Sequence, residues 1–150
     1  MAQDRNNNRV REVMTPDPQC VSERDSIIEA ARIMQDADTG IVPVVDDSRK
    51  IIGMVTDRDI VVRLIAEGKD VQKARVNEVM TKSVRKVDED SPISEVVELM
   101  SNAQIRRVPV VNNRDEIVGI VSMADLANST TPTGKVGKAM EQISEGPGNN

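Results

Sequence analysis

The chain has 150 residues, 38% of them apolar, and a net charge of −5, which is enough for one compact domain with a real core. It contains no His, Phe, Tyr or Trp and a single cysteine, Cys20. That composition excludes histidine acid–base chemistry, His-ligated metals, an internal disulfide and aromatic stacking on nucleobases, and the acidic balance argues against a duplex-DNA surface.

Membrane insertion is not expected either, because no run of 18 apolar residues occurs. The polar start, MAQDRNNNRV, lacks the apolar segment of a signal peptide, so a cytoplasmic chain is expected.

In chain order, an opener Val10-Arg11-Glu12-Val13-Met14-Thr15 comes first, and a short strand is predicted over 19–21. Ile27, Ala30, Ala31 and Met34 then recur at i, i+3, i+4, i+7, which predicts an amphipathic helix with Asp25 as its cap. Strands Ile41–Val45 and Ile51–Thr56 flank a polar turn at 46–50, and a helix starts at Asp57. Residues 62–75 extend that helix and cross to a second copy.

The second copy carries the same pattern, 66 residues on. Val76-Asn77-Glu78-Val79-Met80-Thr81 repeats the opener, and Val108-Pro109-Val110-Val111 repeats Val42-Pro43-Val44-Val45. Gly119 repeats Gly53 and Asp125 repeats Asp59. Aligned without a gap, 10–61 and 76–127 share roughly 19 identities in 52 positions, a register too long for chance. This copy predicts a strand over 85–87 and a helix with Ile93, Val96, Val97 and Met100 on one face, started by Ser91 as cap and Pro92 as its first residue. It ends in strands 108–111 and Ile117–Ser122 and a helix from Met123. The strand sequences are nearly continuously apolar, as in strands buried on both faces.

The domain plan is therefore 9–66, a linker at 67–75, 76–128, and a flexible tail at 129–150, in which 135–143 has the composition of a brief helix. The class is α+β (α/β), with two β-α-β-β-α repeats. One repeat of about 50 residues buries too little surface alone, so the two should pack together with pseudo-twofold symmetry.

Each repeat ends in G-h-h-[TS]-x-x-D: Gly53 to Thr56 and Asp59, and Gly119 to Ser122 and Asp125. Two readings stay open. At a helix start, free N–H groups suit a phosphate, the hydroxyl can donate to it, and the aspartate can accept from a ribose diol. Equally, [TS]-x-x-[DE] is a helix capping box. Arg106 and Arg107 precede a strand, where Arg107 could grip a phosphate; the equivalent positions in the first copy are Gly40 and Ile41. Arg58 and Arg63 read as solvated or paired with nearby acids, and Cys20 as a small hydrophobe.

Together these features resemble a tandem CBS-domain pair, or Bateman module, over about residues 9–128. The stretch from Thr56 to Val61, with Arg106-Arg107-Val108-Pro109-Val110, is most similar to small stand-alone bacterial members of the hypoxic response protein type. The resemblance implies a non-catalytic sensor that forms a homodimer and holds an adenosine-type small molecule in clefts between its repeats. The ligand would be AMP, ADP, ATP, NAD or S-adenosylmethionine, with no cofactor required. By resemblance Asp59 and Asp125 bind ribose, Thr56 and Ser122 contact phosphate or ribose, and Arg107 meets phosphate. Pro18, Val84, Val42 and Val108 line the adenine pocket. A regulated protein would read the signal; nucleic acid and membrane are not expected partners. The alternative is a ligand-free dimeric scaffold in which the [TS]-x-x-D motifs are only caps.

Overall fold

A computed structural model of the chain describes residues 8–128; the expected tail and its brief helix lie outside them. The elements are β1 (Thr15–Pro16), α1 (Ile27–Ala37), β2 (Ile41–Val45), β3 (Ile51–Thr56), α2 (Asp57–Ile60), β4 (Val87–Asp88), α3 (Ile93–Ala103), β5 (Arg107–Val111), β6 (Ile117–Ser122) and α4 (Met123–Ala127). Both openers form a 3₁₀ turn, at Val10–Glu12 and Val76–Glu78, and a wider π turn, Val61–Ile65, prolongs α2.

The hairpin strands and the starts of α2 and α4 fall where the apolar runs and the [TS]-x-x-D motifs put them. The longer helices are entered one residue later than expected. Ser26, not Asp25, caps α1: its Oγ accepts from Ile28 N at 3.1 Å. Asp25 is occupied one step earlier, its Oδ2 accepting from Ser22 N at 2.8 Å. In α3 the N-cap position is Pro92 and no side chain caps it. The face of α1 is also narrower than its spacing suggests. Ile27, Ala30 and Ile33 are buried and Met34 half-buried, but Ala31 is exposed. In α3 the expected Ile93, Val96, Val97 and Met100 are all buried.

The chain forms two compact units, and neither coincides with one sequence repeat. One contains residues 18–84 with 114–117; the other contains the first opener, up to Asp17, with 85–113 and the chain from Val118. Each repeat's opener thus belongs to the unit built on the other repeat's body.

The exchange is repeated residue for residue. Thr15 pairs with Ile120 on β6, and Thr81 pairs with Met54 on β3. Val10 N donates to Ser91 O at 2.9 Å, and Val76 N to Asp25 O at 2.8 Å. Ile93 N donates to Asn8 O, and Ile27 N to Ala74 O. On the far side of each hairpin the short strand runs parallel: Val87 pairs with Val110, and Val21 with Val44. The second-repeat unit accordingly has sheet order β1-β6-β5-β4. The first-repeat unit has the same layout around β2–β3, with Thr81 and Val21 as single bridges.

Each unit closes its own core. In the first-repeat unit Val76, Val79 and Met80 of the borrowed opener pack with Ile27, Ala30, Val42, Val44, Val55 and Leu64. In the other, Val10 packs with Ile93, Val96, Val97, Met100, Val108 and Leu126. A fully buried valine contributes about 1.5–3 kcal/mol, so Val10 and Val76, both 0% exposed, anchor their openers. The central strand of each hairpin carries a glycine where the opener crosses. A side chain at Gly53 would meet Thr81 O at 3.0 Å and Met80 Sδ at 3.1 Å. One at Gly119 would meet Thr15 O at 3.0 Å and overlap the Met14 side chain.

Candidate functional site

The two [TS]-x-x-D motifs sit where β3 turns into α2 and where β6 turns into α4. Both are complete capping boxes. Thr56 Oγ1 accepts from Asp59 N at 3.0 Å, and Asp59 Oδ2 accepts from Thr56 N at 3.0 Å. Ser122 Oγ accepts from Asp125 N at 3.1 Å, and Asp125 Oδ2 accepts from Ser122 N at 2.8 Å. Each box uses one carboxylate oxygen, Oδ2, and leaves Oδ1 outside the cap. Capping and ligand binding therefore make compatible demands on the same aspartate.

The first motif is the more self-contained. Asp57 N donates to Gly40 O at 2.9 Å, Arg58 N to Asp57 Oδ1 at 2.8 Å, and Asp59 N to Thr56 Oγ1. The first three amides of α2 are thus engaged within the chain. Asp59 Oδ1 faces Arg63 Nε at 3.7 Å, and Arg63 Nη1 donates to Val79 O and Met80 O at 3.2 and 3.3 Å. Spacing alone leaves Arg63 either in solvent or beside an acid. It pairs with Asp59 four residues back, and its carbonyl bonds across 16 and 17 residues have no signal in the sequence.

At the second motif Met123 N donates to Arg106 O at 2.8 Å, matching the Asp57–Gly40 bond. Met123 offers no acceptor to Ala124 N where Asp57 serves Arg58 N. Arg107, half-buried, begins β5, the strand adjacent to β6. Arg106 is exposed. Arg107 brings a positive charge to the strand end that carries Ile41 in the first copy, while the carboxylate of Asp57 has no counterpart here. The second motif is therefore the more anion-tolerant of the two.

Val42 and Val108 are 0% exposed, main chain included, each in the core of its unit, so neither presents a surface of its own to a ligand. Pro18 and Val84 are half-buried. Pro18 O accepts from Cys20 Sγ at 3.2 Å. Burial pushes the Cys20 thiol above its ordinary pKa, more than nearby Arg49 pulls it down, so the protonated thiol is favoured at neutral pH. Among the described residues no three His, Cys, Asp or Glu side chains gather into a metal-binding group, and no helix is long and apolar enough to cross a membrane.

The chain's relationships agree with this architecture. The family model for the CBS domain matches it twice, at residues 10–66 and 76–130. Hypoxic response protein 1 of Mycobacterium tuberculosis is 38% identical over 117 residues, 78% of this chain and 81% of that protein. A crystal structure of Hypoxic Response Protein I with two coordinated zinc ions superposes with a TM-score of 0.75 at 35% identity, covering 83% of this chain and all of that one. The CBS domain pair of protein MJ0100, solved with 5′-methylthioadenosine and S-adenosyl-L-methionine, gives a TM-score of 0.69 at 31% identity over 80% of this chain and 93% of that one. The duplicated sequence, the repeated α+β unit and these matches make the chain a member of the CBS-domain family, with two CBS repeats.

Proposed function

We propose that this CBS pair is a non-catalytic sensor whose ligand is an adenosine-containing small molecule: AMP, ADP or ATP, with NAD or S-adenosylmethionine as further candidates. The observation that carries the reading is the second motif. There Asp125 keeps Oδ1 outside its cap, Ser122 ends the strand adjacent to the one Arg107 begins, and Met123 rather than an acid begins the helix. Asp125 would accept from the ribose diol, Ser122 and Arg107 would hold phosphate, and the backbone near Val108 would border the base; in the first-repeat unit the backbone near Pro18, Val42 and Val84 would border it. The adenosine ligands of the MJ0100 pair, at 31% identity, support this choice of ligand class. Asp59 and Thr56 would form a second, weaker site. The absence of histidine in the sequence and the protonated Cys20 thiol are consistent with sensing rather than catalysis. We place the protein in the cytoplasm as a homodimer read by a regulated protein, with no nucleic-acid or membrane partner and no required cofactor.

Ligand-dependent melting tests this, tracked by calorimetry or an extrinsic dye because Trp and Tyr are absent. A ligand at about 100 times its Kd adds roughly 2.7 kcal/mol, a shift of several degrees. The shift should fall in Asp125→Ala to what the Asp59 site alone supports and vanish in Asp59→Ala/Asp125→Ala; an undiminished shift in Asp125→Ala sinks the assignment.

One observation favours a second reading, a ligand-free dimeric scaffold. Val61, Val62 and Ile65 are 53%, 45% and 54% exposed on the turn after α2. Under that reading none of the five ligands shifts the melt, and sedimentation at micromolar concentration gives a dimer that Val62→Asp dissociates.

A further inference from the structure

We infer that Arg63 makes the two aspartate motifs unequal: it occupies Asp59 in the free protein, so that a ribose diol must displace it, and it joins that event to the opener 76–81. The inference rests on the adenosine reading above. Within the first-repeat unit, Asp59 has given Oδ2 to the cap. Oδ1, the oxygen left for a ligand, faces the Arg63 guanidinium at 3.7 Å. The Asp59 side chain is well sheltered, 14% exposed, whereas the Arg63 side chain is 50% exposed, with solvent on its open side. The same guanidinium donates to Val79 O and Met80 O, the last turn of the opener before Thr81 pairs with Met54.

A diol that takes Asp59 Oδ1 therefore competes with Arg63 for one acceptor. Movement of Arg63 removes two hydrogen bonds from the last turn of the opener, leaving that turn held by the Thr81–Met54 pair and by the burial of Val79 and Met80. Asp125 lacks the equivalent arginine: four residues on, the chain carries Ser129, an uncharged side chain. The uncharged nucleoside should thus bind Asp125 first and Asp59 only at higher concentration, and only the second event should loosen the opener.

The test uses adenosine on the full chain, with Asp125→Ala isolating the first motif. Calorimetry should show Arg63→Ala/Asp125→Ala binding adenosine about two- to fivefold more tightly than Asp125→Ala, the scale of losing an exposed i, i+4 ion pair. Arg63→Lys, which keeps the charge beside Asp59, should stay near the parent. Amide exchange at residues 79–81 should speed up in Arg63→Ala without ligand, and in Asp125→Ala when adenosine is added. Unchanged or weaker adenosine binding in the Arg63→Ala pair overturns the inference, the weaker result making Arg63 a ligand contact. Unchanged exchange at 79–81 in Arg63→Ala overturns it too. A wild-type chain that binds neither adenosine nor AMP removes the adenosine reading along with it. Wild-type binding without the Arg63 effect removes this inference alone.

Discussion

The first-repeat and second-repeat units share their backbone plan and differ in what surrounds it. Gly40 O and Arg106 O accept the same helix-start bond, from Asp57 N and Met123 N. The side chains at those paired positions have nothing in common: glycine against arginine, carboxylate against thioether. Strand, cap and opener residues are the ones kept in both copies, because each must satisfy a hydrogen bond or fill a core. The positions beside the motif carry no such duty, so the two copies have drifted apart there. A duplicated fold thus presents two sites of different character.

The anchoring of the last helix separates the units most sharply. In the second-repeat unit Leu126 of α4 is 1% exposed; its equivalent, Ile60, is only half-buried, and Leu64 on the π turn after α2, 0% exposed, closes the core instead. Leu126→Ala and Leu64→Ala should each lose about 2–5 kcal/mol in denaturant unfolding, as buried leucines do. Ile60→Ala should lose clearly less than either. Equal losses at Ile60 and Leu126 would erase the distinction.

The crossing glycines come next in size. Gly119→Ala drives a methyl group into Met14 and against Thr15 O, with a cost of about 1–3 kcal/mol; Gly53→Ala, whose nearest neighbours are 3.0 and 3.1 Å away, should fall at the low end of the same range. Melting of the two single variants orders them. Trimming Met14 to Ala in the Gly119→Ala background should recover part of the loss if the methionine is the obstacle.

The smallest effects are at the helix ends. α1 and α3 both stop on a left-handed residue that is not glycine, Asp38 at φ 50° and Gln104 at φ 54°. Gln104→Gly should raise stability by about 0.5–1 kcal/mol. Asp38→Gly should gain less, since a short polar side chain tolerates that conformation better than glutamine does. A loss at either position, read by Tm, would mean the side chain contributes more than the strain it carries.

Much of this fold is legible in the sequence, for a physical reason. Apolar runs such as Ile51–Thr56 and cap residues such as Thr56 and Ser122 act locally, so spacing along the chain reports them directly. The longer helices are legible only to within a residue, because Asp25 and Ser26 are both competent caps and the choice depends on Ser22 N. The exchange of openers is not legible. Val10 and Val76 look equally suited to either body, and the choice shows only in tertiary contacts: the hydrogen bonds to Ser91 and Asp25, the Thr15–Ile120 and Thr81–Met54 pairs, and the packing of each opener in its core. At the site, the capping box is one of two readings open from spacing, and the structure contains it. The Arg63 bonds to Val79 and Met80 arise from tertiary folding and have no local signature.

The exchanged openers also set an order of events during synthesis. Residues 8–17 leave the ribosome well before the strand they join: β6 is made about 100 residues later, a wait of roughly 5–20 s at ordinary elongation rates. The first-repeat unit has nearly all of its parts once Val84 has emerged, and lacks only the short piece at 114–117. It is therefore first to close, with the N-terminal segment still unpartnered, and a chain cut cleanly between its two repeats would leave both halves without the piece that seals their cores.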